Sequence, residues 1–128
     1  MSTNFIESDR GNLYEINFQN VPFHVNRIFI VNNVKVGEIR GEHAHYEEKQ
    51  LIICLKGKIQ AEWITFDNQK GSSILTSTNE LYSHPMTWLK LTFLEENSSF
   101  ACLCSNLYYE DDYIRDFNKF QELINAKI

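Results

Sequence analysis

The apolar and polar positions of this chain fall into short runs separated by turn residues. Apolar or alternating stretches recur at Leu13 to Phe18, Val25 to Val31, Leu51 to Leu55, Ile59 to Phe66, Ser73 to Thr76, Trp88 to Leu94 and Phe100 to Leu107. Most are rich in β-branched and aromatic residues, and turn formers such as Lys56, Gly57 and Lys58, or Asp67 through Gly71, bound them. Strands spaced in this way predict an antiparallel sandwich or barrel. The C-terminal stretch has a different period. Tyr113, Phe117, Phe120 and Ile124 step by four, three and four behind Asp111 and Asp112, acidic residues suited to a helix N-terminus. One amphipathic helix is expected there, its aromatic stripe packed on a sheet.

Composition narrows the class. With 128 residues, 43% of them hydrophobic and 23% charged, the chain suits one soluble domain over residues 1–128. Such a chain buries roughly two thirds of its unfolded surface, enough for a core without metal or disulfide staples. No linker or internal repeat is visible. There is no run of about 18 apolar residues to span a bilayer, and Met1 to Arg10 lacks the apolar stretch of a signal peptide, so no membrane role is expected. A net charge of -5 without a Lys/Arg block argues against a nucleic-acid partner. An anionic ligand would have to be met by locally placed cations. Cys54, Cys102 and Cys104 are an odd set, which fits a reduced, cytoplasmic protein. Cys102 and Cys104 share one strand face but find no second pair at metal-site spacing, so they read as buried apolar residues.

The sharpest chemical signal is His43-Ala44-His45. On a strand, residues two apart project to one face and can share a substrate or a metal, whereas a helix would splay them. The pair is framed by Gly37 with five residues between, by Gln50 with four residues between, and by Gly57 beyond a further six-residue run. Imidazoles titrate near neutrality and suit proton transfer. Spacing alone leaves open whether they are hydrogen-bonded core residues instead. Arg40 lies three positions upstream beside Gly41, where a guanidinium can stabilise oxyanion charge or bind phosphate.

This frame resembles the first motif of the cupin barrels, small jelly-roll domains that often carry a metal. Gln50 stands where that motif has Glu, and no histidine follows Pro85 where a second motif would place one. The expectation is therefore no metal and no cofactor. A narrower resemblance covers nearly the whole chain. Arg40 to His45 with Gln50 and Gly57, Asp9-Arg10-Gly11 with Leu13, Pro22-Phe23 with Arg27, Pro85-Met86 with Trp88, and Tyr108-Tyr109 followed by Asp112 to Asp116 resemble the metal-independent sugar 3,4-ketoisomerases acting on dTDP-4-keto-6-deoxyglucose.

The resemblance implies an all-β, cupin-type antiparallel jelly-roll barrel with one C-terminal helix. It implies an isomerase that moves a keto group from C4 to C3 of a dTDP-linked 4-keto-6-deoxy sugar, on a route to a 3-amino sugar for a glycan. It also implies a homodimer, often formed through exchanged N-terminal strands. His45 is expected as the base, His43 as its partner and Arg40 as the stabiliser of the enediolate oxygen. Arg10 and Arg27 are expected with Arg40 on the pyrophosphate, and Gln50, Trp88 and Tyr46 complete the expected substrate contacts. Two departures stand out. Ile28, Phe29 and Ile30 occupy a stretch where the family commonly has tyrosines, and Leu89 follows Trp88 where His or Arg is frequent. The latter bears on the C4 configuration of the product. Loss of those groups also suits an alternative, a nucleotide-sugar-binding cupin domain without catalysis.

Overall fold

The chain's short alternating runs form antiparallel strands that assemble into two facing sheets. In this computed structural model, which describes residues 2–126, one sheet has the order β3 (Arg27–Val34), β10 (Ser98–Cys104), β5 (Gln50–Lys56) and β8 (Glu80–Ser83). The other has the order β11 (Tyr113–Ile114), β4 (Ile39–His45), β9 (Trp88–Phe93), β6 (Ile59–Ile64) and β7 (Lys70–Leu75). A separate hairpin pairs β1 (Thr3–Ser8) with β2 (Gly11–Ile16). The result is the expected jelly-roll barrel.

Alternation decides what lies between the sheets. In β9, Leu89, Leu91 and Phe93 point inward, where they meet Ile52, Cys54, Phe100 and Cys102 of the opposite sheet. Strands β5 and β10 are apolar on both faces because both faces are covered, and every residue of β10 is buried. Their outward residues Leu51, Ile53 and Leu103 pack under Val21, with Ile16, Phe23 and Val25 alongside. Truncating a fully buried ring such as Phe93 to Ala would cost about 3–5 kcal/mol through lost transfer energy and the cavity left behind.

The C-terminal expectation needs one correction. The helix, α1 (Phe117–Asn125), starts four residues later than the periodicity places it, with the Asp116 side chain accepting the Asn118 N–H as its cap. Asp111 and Asp112 belong instead to a 3-10 turn, and Tyr113 lies on β11, paired with His45 of β4. Ladder pairing with β4 thus claims Tyr113 and Ile114 before the helix begins. The rest of the stripe behaves as expected. Phe120 and Ile124 are buried with Ala44 and Ile114 on the outer face of the second sheet.

Candidate active site

The geometry of the site starts from a bulge in β4. Gly41 has φ +82° and Glu42 φ +58°, and the β4–β9 register shifts between Gly41 and His43. Only glycine fits at position 41, because a Cβ there would stand 2.8 Å from the Leu89 carbonyl oxygen. The bulge turns His43 into the space between the sheets. Its Nδ1 lies 3.1 Å from the Gly41 carbonyl oxygen, so Nδ1 carries the proton and donates it, leaving Nε2 with the free lone pair.

That space is a cavity of about 290 Å³. Its polar wall carries His43, Gln50, Tyr108 and Tyr113, and Arg27, Arg40 and Arg115 supply three cations. Phe29, Ile52, Leu89, Leu91 and Phe100 give the apolar lining, and Cys102 completes it. A larger cleft of about 570 Å³ lies under the β1–β2 hairpin, but its ionisable groups are Tyr14, Lys56, Lys58 and Glu95, with no histidine. Chemistry rather than volume selects the first.

Burial pushes the His43 imidazole below its usual value, and the Gly41 carbonyl opposes this only in part. A neutral ring with a free nitrogen is suited to accept a proton. His45 stands behind it, with ring centroids 5.0 Å apart and planes almost perpendicular. It is 6% exposed and held between Asp112 on its Nδ1 side, at 3.4 Å, and Glu48 on its Nε2 side, at 3.7 Å. Burial, reinforced by His43, pushes His45 down to about 4. The Tyr113 ring touches both, at 5.0 Å from His43 and 4.2 Å from His45.

The cations are not equivalent. Arg27 is bound to the buried Glu48, with Nη2 3.0 Å from Oε1. Arg115 forms a two-pronged pair with Glu110 at 2.7 and 2.9 Å and stacks on Tyr113 at 4.1 Å. Both members of that second pair are exposed, so solvent weakens it. Arg40 has no ion-pair partner among the described residues. Two of the three expected arginines therefore converge, and Arg115 takes the third place.

Several expected contacts fall elsewhere. Arg10 sits in the β1–β2 turn, its N–H donating to Ser8 Oγ, and does not line the cavity. Trp88 neighbours Leu89 on a strand, so when Leu89 faces the cavity Trp88 must face away, and it packs on Phe117 and Phe120 of α1. Tyr46 is exposed beside His45 in a small outer pocket. Gln50 does line the cavity, but its amide donates to Glu48 Oε2 at 2.7 Å. Glu48 carries no motif that marks it as a site residue, whereas Asp112 stands in the family-like C-terminal motif. Tyr108, Tyr113 and Arg115 stand in the family-like C-terminal motif, which was the available signal. Among the described residues no group of three or more His, Cys, Asp or Glu side chains is placed to hold a metal ion.

A histidine on a bulged strand, backed by a second and facing a cation-rich cavity between two antiparallel sheets, defines a candidate active site in a cupin-type jelly-roll barrel. Residues 1–125 match the WxcM-like, C-terminal (FdtA) family model, and the chain belongs to this family. It is 31% identical over 127 residues to TDP-4-oxo-6-deoxy-alpha-D-glucose-3,4-oxoisomerase of Aneurinibacillus thermoaerophilus, covering 96% of this chain and 88% of that one. Among solved structures, a 3,4-ketoisomerase from Helicobacter canadensis superposes with a TM-score of 0.83 at 27% identity, over 97% of this chain and 94% of that one. A TDP complex of a double-mutant 3,4-ketoisomerase from Thermoanaerobacterium thermosaccharolyticum gives 0.85 at 25% identity, over 100% and 94%.

Proposed function

We propose that the protein converts a dTDP-linked 4-keto-6-deoxyhexose to its 3-keto isomer by proton transfer through an enediolate, without a metal or cofactor. The observation that carries this reading is His43, with its Nδ1 tied to Gly41 and its neutral ring on the wall of a cavity that also holds three arginines. His43 Nε2 removes the C3 proton, which the adjacent C4 carbonyl acidifies. The electron pair moves to form the enediolate, and Arg27 or Arg40 donates to its oxygen. The proton held by His43 is returned to C4 while the C3 hydroxyl proton passes to the C4 oxygen, so C3 becomes the ketone and C4 the alcohol with no change in overall composition. His43 thus takes the role expected of His45, because His43 faces the cavity and His45 lies behind it.

Arg40 and Arg115 are the cations available to the diphosphate, and guanidinium forks suit its oxygens. The product carries a ketone at C3, the group an aminotransferase replaces to give a 3-amino sugar. We place the reaction in the cytoplasm, consistent with three free, buried cysteines. A homodimer is also proposed. β3 is an edge strand of its sheet, and its outward Ile28 and Ile30 are exposed, as are Ile6 and Leu13 of the hairpin.

Turnover of dTDP-4-keto-6-deoxyglucose in deuterated water tests the reaction, since enolisation must carry label onto the sugar ring. His43→Asn should abolish labelling while TDP affinity stays nearly intact. Tight TDP binding by wild-type protein with no label in the sugar would instead select the non-catalytic binding domain. The apolar Phe29 and Leu89 in the cavity wall are the observation favouring that second reading.

A further inference from the structure

We propose that Glu48 is a positioning residue that fixes the Arg27 guanidinium toward the reacting sugar, an inference that rests on the ketoisomerase reading above. Glu48 lies in the β4–β5 connection, three residues past His45, and is only 3% exposed. Both of its oxygens accept from Arg27 Nη2, at 3.0 and 3.3 Å, and Oε2 also accepts from Gln50 Nε2 at 2.7 Å. The Glu48 backbone N–H in turn donates to Asp112 Oδ2 at 3.1 Å, and the neighbouring Glu47 N–H donates to Oδ1 at 2.9 Å. The carboxylate is therefore held from its backbone as well as from its head.

Packing alone does not call for this arrangement. A buried ion pair loses hydration on both partners, and an apolar side chain of similar volume commonly serves stability as well or better. What the pair supplies is orientation. Arg27 Nε donates to the Asn106 carbonyl at 3.3 Å while Nη2 is held by Glu48, so two of the three guanidinium nitrogens are anchored and the plane is set. The donors that remain are available to a ligand oxygen in the cavity, whose wall Arg27 shares with Tyr113.

Charge then divides the arginines by task. Glu48 cancels the Arg27 charge locally, leaving directed N–H bonds, while Arg40 and Arg115 meet the diphosphate. Arg27 serves the sugar oxygen on which charge develops during enolisation. Interactions that strengthen only as charge develops raise kcat without tightening ground-state binding. Loss of Glu48 should therefore act on kcat and spare nucleotide affinity.

The test compares Glu48→Gln and Glu48→Asp in the full chain. It reads kcat and KM with dTDP-4-keto-6-deoxyglucose, TDP affinity by calorimetry, and the Arg27 guanidinium NMR signals. Glu48→Gln should lose about 100-fold in kcat, the scale of a misplaced catalytic donor. TDP affinity should hold within about threefold or tighten, and the resolved Arg27 N–H signals of the wild type should collapse to an averaged one. Glu48→Asp keeps a carboxylate and should recover about tenfold of the lost kcat. The proposal is overturned if Glu48→Gln keeps kcat within about threefold, or if kcat and TDP affinity fall together. It is equally overturned if Asp is no better than Gln. Should Glu48→Gln not fold, Glu48→Asp decides by the same split of kcat against TDP affinity. A wild-type protein that binds TDP but turns nothing over would refute the ketoisomerase reading itself, and the Arg27 signals would then decide the role of Glu48 separately.

Discussion

Acidification should destabilise this protein through one residue in particular, His45. Two carboxylates flank its ring, which would ordinarily favour the imidazolium, while its burial favours the neutral form. Burial prevails because the carboxylates are already engaged. Asp112 accepts the N–H groups of Glu47 and Glu48, Glu48 accepts from Arg27 and Gln50, and neither His45 nitrogen has a hydrogen-bond partner. The native ring is accordingly held from an ordinary 6.5 down to about 4. Between those values the unfolded chain binds more protons than the native one, so stability is full above the ordinary value and falls as pH drops toward 4. At about 1.4 kcal/mol per pH unit, the loss across the window is about 3 kcal/mol. Urea unfolding followed by tryptophan fluorescence at several pH values from 7.5 to 4.5 measures it, with His45→Asn as reference. The wild type should lose its stability relative to the variant on descending through this window. Parallel loss in both proteins would refute the reasoning, since the acid-sensitive group would then lie elsewhere.

Two further expectations concern the bulge and the edge strand. Gly41→Ala places a Cβ against the Leu89 carbonyl at a positive φ, so it should cost about 1–3 kcal/mol by chemical denaturation. Because the same bulge aims His43, turnover should fall by more than about tenfold even where the variant remains folded. Replacing both Ile28 and Ile30 by Glu puts charges on the exposed face of β3. Sedimentation should then show a monomer where the wild type is a dimer, and a wild type that sediments as a monomer would end the dimer proposal.

The amino-acid sequence by itself determined the strand-rich architecture, because period-two alternation and turn residues are local properties. It also marked His43 and His45 as a pair, since residues two apart on a strand share a face whatever surrounds them. The family-like spacing of Arg40, Gln50 and the C-terminal tyrosines carried the likeness to sugar ketoisomerases. Tertiary structure decided what local pattern cannot carry. Packing chose which imidazole faces the cavity, because Asp112, Glu48 and Tyr113 enclose His45 while His43 stays on the cavity wall, and strand pairing with β4 took Tyr113 out of the expected helix and laid it against both histidines. The inward turn of Leu89 sent Trp88 to the outer face, and the separate β1–β2 hairpin kept Arg10 away from the cavity wall. Glu48 shows the limit most plainly. In sequence it is one more acid in a charged loop, and only the folding of β3 against that loop brings Arg27 to a carboxylate that the neighbouring Gln50 also holds. A charged residue can be buried when long-range packing delivers its counter-charge, and here that partner, Arg27, lies on a strand 21 residues away.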